Sequence, residues 1–482
     1  MDPVSQDLVY MSAAQQSAAI KKREISPVDL VRASLDRIER YDGKLRAWIS
    51  VDAERAMRLA KQAEDEIARG HYRGPMHGLP YGVKDQMHAL GFKTSLGTRV
   101  LDESEMAAPY DATLVKRLSD AGAILLGKQN LHEWGKGGTI DFPYGQPRNP
   151  WNPAHDASSS STGSGIAPAA GMCSFSIGED TGGSVRGPAS CNGVVGLRPT
   201  FGRVSRHGGV MAGYTSDTFG PLARTVTDIA LVMQAISGHD PADVLSSPRP
   251  VPDFTRDLSS DLKGMKLGIV REIAYSEWTH PEVLAAFEAA LDVLRQRGAV
   301  IEEISLPLVK WAVPLQMLTT DADVASWFLA NYLRDRYDRF DEGTRSRLVT
   351  SCLIPAATYS RAMRARTVVR AQVLEAMRKY DALLTPTNLT PPRLIEEAQE
   401  NVSDSGDVLP KLIKRRIAHY PFSLSNVPAL SVPCGFSKVG LPLALQIASR
   451  PFGEPTAFKV AHAYEQATEW HKRHPDLQKT LS

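Results

Sequence analysis

Apolar residues recur along this chain in two periods, and the switches between them outline an α/β protein. Val28, Leu30, Val31, Leu35 and Ile38 fall at helical spacing behind Ser26-Pro27, where a capping hydroxyl is followed by proline in the first turn. Asp52 to Arg69, rich in Ala, Glu, Lys and Arg, reads as a second amphipathic helix ended by Gly70, so residues 5 to 70 are expected to be helical. Leu79 to Asp85 then reads as a short strand. Leu114, Val115 and Leu118 mark a helix, and Ala123-Ile124-Leu125-Leu126 a strand. The rhythm resumes with a helix over 221–236, a strand over Lys266–Val270, a helix over 281–297 and a strand over Val300–Ile304. From Val309 to Tyr380 the pattern is mainly helical, and from Thr385 to Tyr420 it loses its period. Leu383–Thr387 and Ala429–Pro433 suit further core strands, and a helix over 455–470 closes the chain.

Composition narrows the classes open to such a chain. At 482 residues, with 43% hydrophobic and 23% charged residues, it has the make-up of a globular protein with a sizeable core. A formal net charge of +2 gives no electrostatic footprint for nucleic acid. Cys173, Cys191, Cys352 and Cys434 show no Cys-x-x-Cys spacing, which favours free thiols in a reducing compartment. The opening MDPVSQDLVY lacks a basic region followed by an apolar one, and no apolar run reaches membrane-spanning length. A cytoplasmic protein is expected, acting on a small molecule without nucleic acid or membrane, as a monomer or homodimer. No metal-ligand cluster and no cofactor motif is visible.

The chemistry concentrates between Ala157 and Thr200, ASSSSTGSGIAPAAGMCSFSIGEDTGGSVRGPASCNGVVGLRPT. Adjacent glycines in Asp180-Thr181-Gly182-Gly183-Ser184 let the backbone turn tightly and aim its N–H groups together, as an oxyanion requires. Met172 to Ile177 alternates like a buried strand, which a flexible Gly/Ser linker would not do. A second serine cluster, Ser158 to Ser161, precedes a small-residue helix around 166–170 that can return the chain to the same place. A serine hydroxyl needs a base. Neither His132, His155 nor His207 has an obvious partner, and Gly163-Ser164-Gly165 lacks the longer nucleophile-elbow pattern.

These residues resemble the signature of the amidase signature family of serine hydrolases. The family pattern Gly-Gly-Ser-Ser-Gly-Gly-Ser, a small-residue helix, Gly-Thr-Asp-Thr-Gly-Gly-Ser-Ile-Arg and Gly-Leu-Lys-Pro-Thr is matched by 158–164, 178–186 and 196–200. The likeness extends to Gly82-Val83-Lys84-Asp85, Arg148 to Asn152 and Val432 to Gly435, covering nearly the whole chain. It implies the family's fold, a large mixed β-sheet sandwiched between α-helices, in one amidase domain. Residues 1–70 would be a helical segment packed on the core, 71–308 the signature core, 309–420 a mainly helical or irregular substrate-covering region, and 421–482 the C-terminal part of the core.

By the same resemblance Lys84, Ser160 and Ser184 are the catalytic residues. Ser184 attacks the amide carbonyl and forms an acyl-enzyme, while its proton passes through Ser160 to Lys84. The N–H groups of Thr181, Gly182, Gly183 and Ser184 hold the oxyanion, and Asp180 and Arg186 order the loop. Trp134, Ile140, Phe142 and Tyr144 border the pocket, a mixture suited to a neutral aryl or alkyl amide or a carbamate. The family also contains the glutaminase component of the tRNA-dependent amidotransferase and hydrolases of dicarboxylic half-amides, which are the alternatives. This chain departs from the pattern at Ser158 and Ser159, which replace two glycines, at Thr162, and at Glu179, which replaces a threonine. In the family the peptide entering the relay serine is cis.

Overall fold

A computed structural model describes residues 8–211, 213–258, 261–398 and 408–481. Within them an eleven-stranded sheet runs through the molecule, built from β1 (Trp48–Val51), β2 (Pro80–Lys84), β3 (Ile124–Gln129), β4 (Phe175–Asp180), β5 (Val195–Arg198), β6 (Thr218–Ala223), β7 (Lys266–Val270), β8 (Val300–Ile304), β9 (Ala382–Pro386), β10 (Ala429–Phe436) and β11 (Pro442–Ser449). Their order across the sheet is β1-β3-β2-β4-β6-β5-β10-β11-β9-β7-β8. β2 lies parallel to β3 and β4, and β7 parallel to β8 and β9, while the remaining pairs are antiparallel.

Alternation along β3 shows how both faces are covered. Ile124 and Leu126 join a core with Val31, Ile38, Ala56, Ala60 and Ile166 from helices Pro27–Leu45, Ala53–Ala68 and Thr162–Ala169. Leu125, between them, joins the opposite core with Ile229, Met233, Phe287 and Phe458 from helices Val226–Ile236, Pro281–Gln296 and Glu454–Glu465. The sheet is therefore a central layer, and its strands are buried on both sides. The outermost strand β8 differs and exposes most of its residues.

Local signals account for several helix starts. Ser26 Oγ accepts from Val28 N at 3.0 Å, and Asp52 Oδ1 from Arg55 N at 2.9 Å. Thr225 and Asp228 form a reciprocal capping box. That box corrects one expectation: the helix starts at Val226, and Pro221 belongs to β6, whose pairing with β4 overrides the helical period. β1 likewise interrupts the helical reading of the first seventy residues, because Trp48–Val51 pairs along the edge of β3. Residues 5–7 of that reading, 259 and 260 of the polar connection and 399–407 of the aperiodic stretch lie outside the described residues.

The parallel register of β2 and β4, Tyr81 opposite Phe175 and Val83 opposite Ile177, sets their carboxyl ends side by side. In open α/β sheets this is where sites are built. Helix Thr162–Ala169 is drawn onto the neighbouring end of β3 through Gly163, whose N–H donates to Asn130 O at 2.9 Å. A β-carbon on Gly163 would lie 2.1 Å from Ala47 O and 2.7 Å from Asn130 N, atoms that no rotamer change can move. Gly163→Ala should therefore destabilise the protein by about 3 kcal/mol, the upper end for overpacking a core. A urea midpoint unchanged from the parent would show that the helix is seated more loosely than described.

Candidate active site

Lys84 ends β2 and is fully buried. Its Nζ donates to Ser160 Oγ at 2.8 Å and to Glu179 Oε2 at 3.0 Å. Ser160 is itself buried, and the Ser159–Ser160 peptide is cis. Ser158 before it adopts φ 65, a left-handed conformation that favours glycine, so this position carries a conformational cost the glycine pattern avoids. Ser161 then ties the segment to β4: its Oγ accepts from Glu179 N at 3.1 Å and donates to Glu179 O at 3.0 Å. Ser161 N also donates to Ser184 O at 3.4 Å. The two serine clusters of the sequence thus meet at the end of β4.

The loop carrying Ser184 is held by Asp180. Asp180 accepts from Gly183 N at 2.7 Å and Val185 N at 3.2 Å, and from Arg186 at 3.1 Å and 3.0 Å. Arg198 adds a bond at 3.2 Å to the carboxylate and another to the Asp180 carbonyl. Burial alone would push this carboxyl up, but the Arg186 and Arg198 guanidiniums reverse the effect and hold it far below the usual carboxylate range. Arg186 extends the network to Gln446 Oε1 and Ser423 Oγ, both at 2.7 Å, and to His419 O at 3.2 Å. The expected oxyanion set narrows in consequence. Gly183 N–H is already engaged by Asp180, which leaves the N–H groups of Thr181, Gly182 and Ser184 as candidates.

Ser184 is partly exposed and opens onto a cavity of about 250 Å³. Of the four expected pocket residues, Ile140 and Phe142 line it. Trp134 does not: it is buried against Phe328, Tyr332 and Trp327, with ring centroids at 4.4, 5.4 and 5.5 Å. Tyr144 lies instead beside Arg46 and Trp48, at a separate surface cleft. Lys136, for which a Gly-rich loop suggests a solvated place, is buried and pairs with Asp321 at 2.8 Å, whereas Asp141 is exposed and pairs with Arg99.

The cavity also contains residues that sequence reasoning left without a role. His132 and His419 line it. Burial, then the charges of Lys84 and Arg416, lower His132 to about 3. Burial, then Arg186, lowers His419 to about 3, with Asp180 opposing and Arg416 adding. Both imidazoles are therefore neutral near neutral pH. Thr139 N donates to His132 Nδ1 at 3.2 Å, which places the ring proton on Nε2. Arg393, Lys414, Arg415 and Arg416 complete a cationic wall, with Asp156 as the acidic member of the lining. Among the described residues, the buried Arg416 Nε and His419 Nε2 have no hydrogen-bond partner.

A buried lysine and serine in contact behind a serine-bearing turn, at the carboxyl ends of strands in a large mixed sheet, mark the candidate active site of an α/β enzyme. The family model described as Amidase matches residues 29–458, and this chain belongs to the amidase signature family. It is 38% identical to the A subunit of glutamyl-tRNA(Gln) amidotransferase from Moorella thermoacetica, over 98% of this chain and 99% of that protein. The structure of native peptide amidase from Stenotrophomonas maltophilia superposes with a TM-score of 0.82, at 31% identity over 95% of this chain and 97% of that one. A chain from a vestigial protein complex bearing on the origins of an s-triazine catabolic enzyme gives 0.87, also at 31% identity, over 95% and 98%.

Asp180 provides a direct stability test. Replacing it with Asn leaves two buried guanidiniums without their anion, and removing one partner of a buried ionic cluster costs about 3–5 kcal/mol. The lowered carboxyl contributes stability that is present above the unfolded value, about 3.9, and lost as pH falls toward its folded value. The gap in urea stability between parent and Asp180→Asn should hold steady near neutrality and shrink as pH falls below about 4. A gap that instead widens in acid would contradict the electrostatic assignment.

Proposed function

We propose that the chain hydrolyses a small amide through an acyl-enzyme on Ser184, with Ser160 and Lys84 as proton relay. The observation that carries this reading is the 2.8 Å contact between Lys84 Nζ and Ser160 Oγ, buried behind the Ser184 turn. Ser184 Oγ attacks the carbonyl carbon, its proton moves to Ser160 Oγ, and the Ser160 proton moves to the neutral Lys84 amine. A hydroxyl both donates and accepts, so the bond seen with Lys84 as donor reverses when the amine is neutral. The N–H groups of Thr181, Gly182 and Ser184 stabilise the oxyanion. As it collapses, the C–N bond breaks and the leaving amine takes the proton back through Ser160. Water then attacks the ester along the same path. Segment 309–420 supplies the cover: Asn388 to Arg393, Lys414 to Arg416 and His419 form one side of the cavity.

The substrate that suits this cavity carries a carboxylate. Two of the four residues expected to favour neutral amides lie elsewhere, while Arg393, Lys414, Arg415 and Arg416 line the cavity against a single carboxylate, Asp156. A bond from a guanidinium to a carboxylate contributes more than a neutral one, about 1.5–3 kcal/mol. Half-amides of dicarboxylic acids and glutamine-like amides both meet this requirement. The 38% identity to the A subunit of an amidotransferase favours a second reading, in which the same reaction on a glutamine-like donor serves a partner protein. Co-purification of a stable complex would distinguish it from a free hydrolase.

Two measurements test these roles. Ser184→Ala should lower kcat by about 10⁴-fold or more, and Ser160→Ala and Lys84→Ala nearly as far. The Ser160/Lys84 double variant should be hardly worse than either single one, because the two act as a unit; additive losses would contradict the relay. For substrate class, kcat/KM for a half-acid amide should exceed that of its matched neutral amide by about tenfold or more. Arg416→Ala should abolish the preference, and a parent enzyme preferring the neutral amide would restore the apolar reading.

A further inference from the structure

Glu179 is the buried group beside the relay for which the reaction above gives no task. It is the penultimate residue of β4 and fully buried. Oε2 accepts from Lys84 Nζ at 3.0 Å, and Oε1 from Thr181 Oγ1 at 2.6 Å. Its backbone N–H and C=O are both held by Ser161 Oγ. The carboxylate is fixed from both ends and cannot swing away from the amine. Gly135 closes over the pair: a β-carbon there would stand 3.5 Å from both Glu179 Oε2 and Lys84 Nζ.

The charged surroundings are sparse. Asp217, ahead of β6, and Arg198 on β5 act on Glu179 from the sheet side, and His132 faces Lys84 from the loop after β3. Asp180, next along β4, is taken up by Arg186 and Arg198, and Asp85 by Lys128 at 2.8 Å. Lys84 and Glu179 are therefore each other's nearest counter-charge. Burial, opposed by Lys84 and reinforced by Asp217, raises the Glu179 carboxyl.

Desolvation alone favours a neutral amine, ready to accept a proton. A carboxylate 3.0 Å away works in the other direction, favouring an ammonium with no lone pair for Ser160. We propose that Glu179 is a positioning residue that makes Lys84 and itself a single buried base, loaded only when a neutral amine stands beside the carboxylate. The pair then carries one negative charge, and taking the Ser184 proton converts it into a neutral ion pair instead of an isolated buried cation. The relay becomes a stronger base that loads at higher pH. A threonine at this position, as in the family pattern, would leave the amine without that partner. This inference rests on the reading of Ser184, Ser160 and Lys84 given above.

The test needs no knowledge of the substrate. A small alkyl fluorophosphonate forms an O–P bond with Ser184 Oγ and loses fluoride, while the serine proton passes through Ser160 to Lys84. The labelling rate, followed by intact mass between about pH 5 and about pH 10, spans the ordinary carboxyl-to-lysine interval. Glu179→Gln keeps the shape and an acceptor for Lys84 but removes the charge. Its rising limb should lie about 1–3 pH units below that of the parent, the displacement an opposite charge at this distance produces. Its plateau rate should also be lower, because the base is weaker. Glu179→Thr should move the limb in the same direction, so the inference does not depend on one variant folding. Limbs that coincide, with only the rate reduced, would overturn it and leave Glu179 as a rotamer support. Labelling that persists in Ser184→Ala would overturn the relay reading itself. A silent Ser184→Ala with coincident limbs would defeat this inference alone.

Discussion

The site depends on one carboxylate enclosed by two guanidiniums. Asp180, Arg186 and Arg198 are all fully buried. Placing three ionised groups away from water carries a desolvation cost that only close pairing and saturated hydrogen bonding can offset. Here the geometry does more than neutralise charge. The same Asp180 oxygens that bind the guanidiniums accept from Gly183 and Val185 N–H, on either side of Ser184. Arg186 reaches across to Gln446 on β11 and to Ser423 and His419. The turn is thereby fixed to strands far apart in sequence, and the orientation of Ser184 is set by the packing of the whole sheet.

Around that anchor lie two electrostatic environments with different roles. Behind the turn, Lys84 and Glu179 are buried in contact at 3.0 Å, closed off by Gly135 and the Ser158–Ser161 segment. In front of it, Arg393, Lys414, Arg415 and Arg416 face a cavity open to solvent. Under the proposed mechanism the first environment would govern proton movement and the second the charge of what enters. His132 and His419 line the same cavity and, being neutral, keep its cation count from rising further. Burial also pushes the Cys191 thiol up, so this group in the lining stays protonated.

Much of this was legible in the sequence. The α/β rhythm followed from alternating periods and the mixed sheet from the family resemblance, and most strands of the core lie where apolar runs predicted them. Lys84 comes beside the end of β4 because β2 and β4 are parallel, and Ser160 reaches it because Ser161 is tied to Glu179 there, a juxtaposition that only the resemblance could supply. What periodicity missed were strands governed by their neighbours: β1 on the edge of β3, β5 between β6 and β10, β6 between β4 and β5, and β11 against β10 and β9. The resemblance puts the loop of Trp134 at the pocket, yet its ring packs into an aromatic cluster from a helical segment nearly two hundred residues away. Arg393 and Arg416 sit at the borders of an aperiodic stretch, where no spacing marks which cation turns inward. Glu179 was visible as a departure from pattern, but its partner was not, since the contact joins residues 95 positions apart.

The central claim, a covalent intermediate on Ser184, is tested most directly by trapping it. A carboxylate-bearing amide is mixed with the enzyme, quenched in acid at early times and mapped by peptide mass. The peptide carrying Ser184 should gain the mass of the acyl group, meaning the substrate less its amine, and lose it as product forms. Turnover without any adduct at the earliest times, or an adduct on Cys191 instead, would contradict the mechanism.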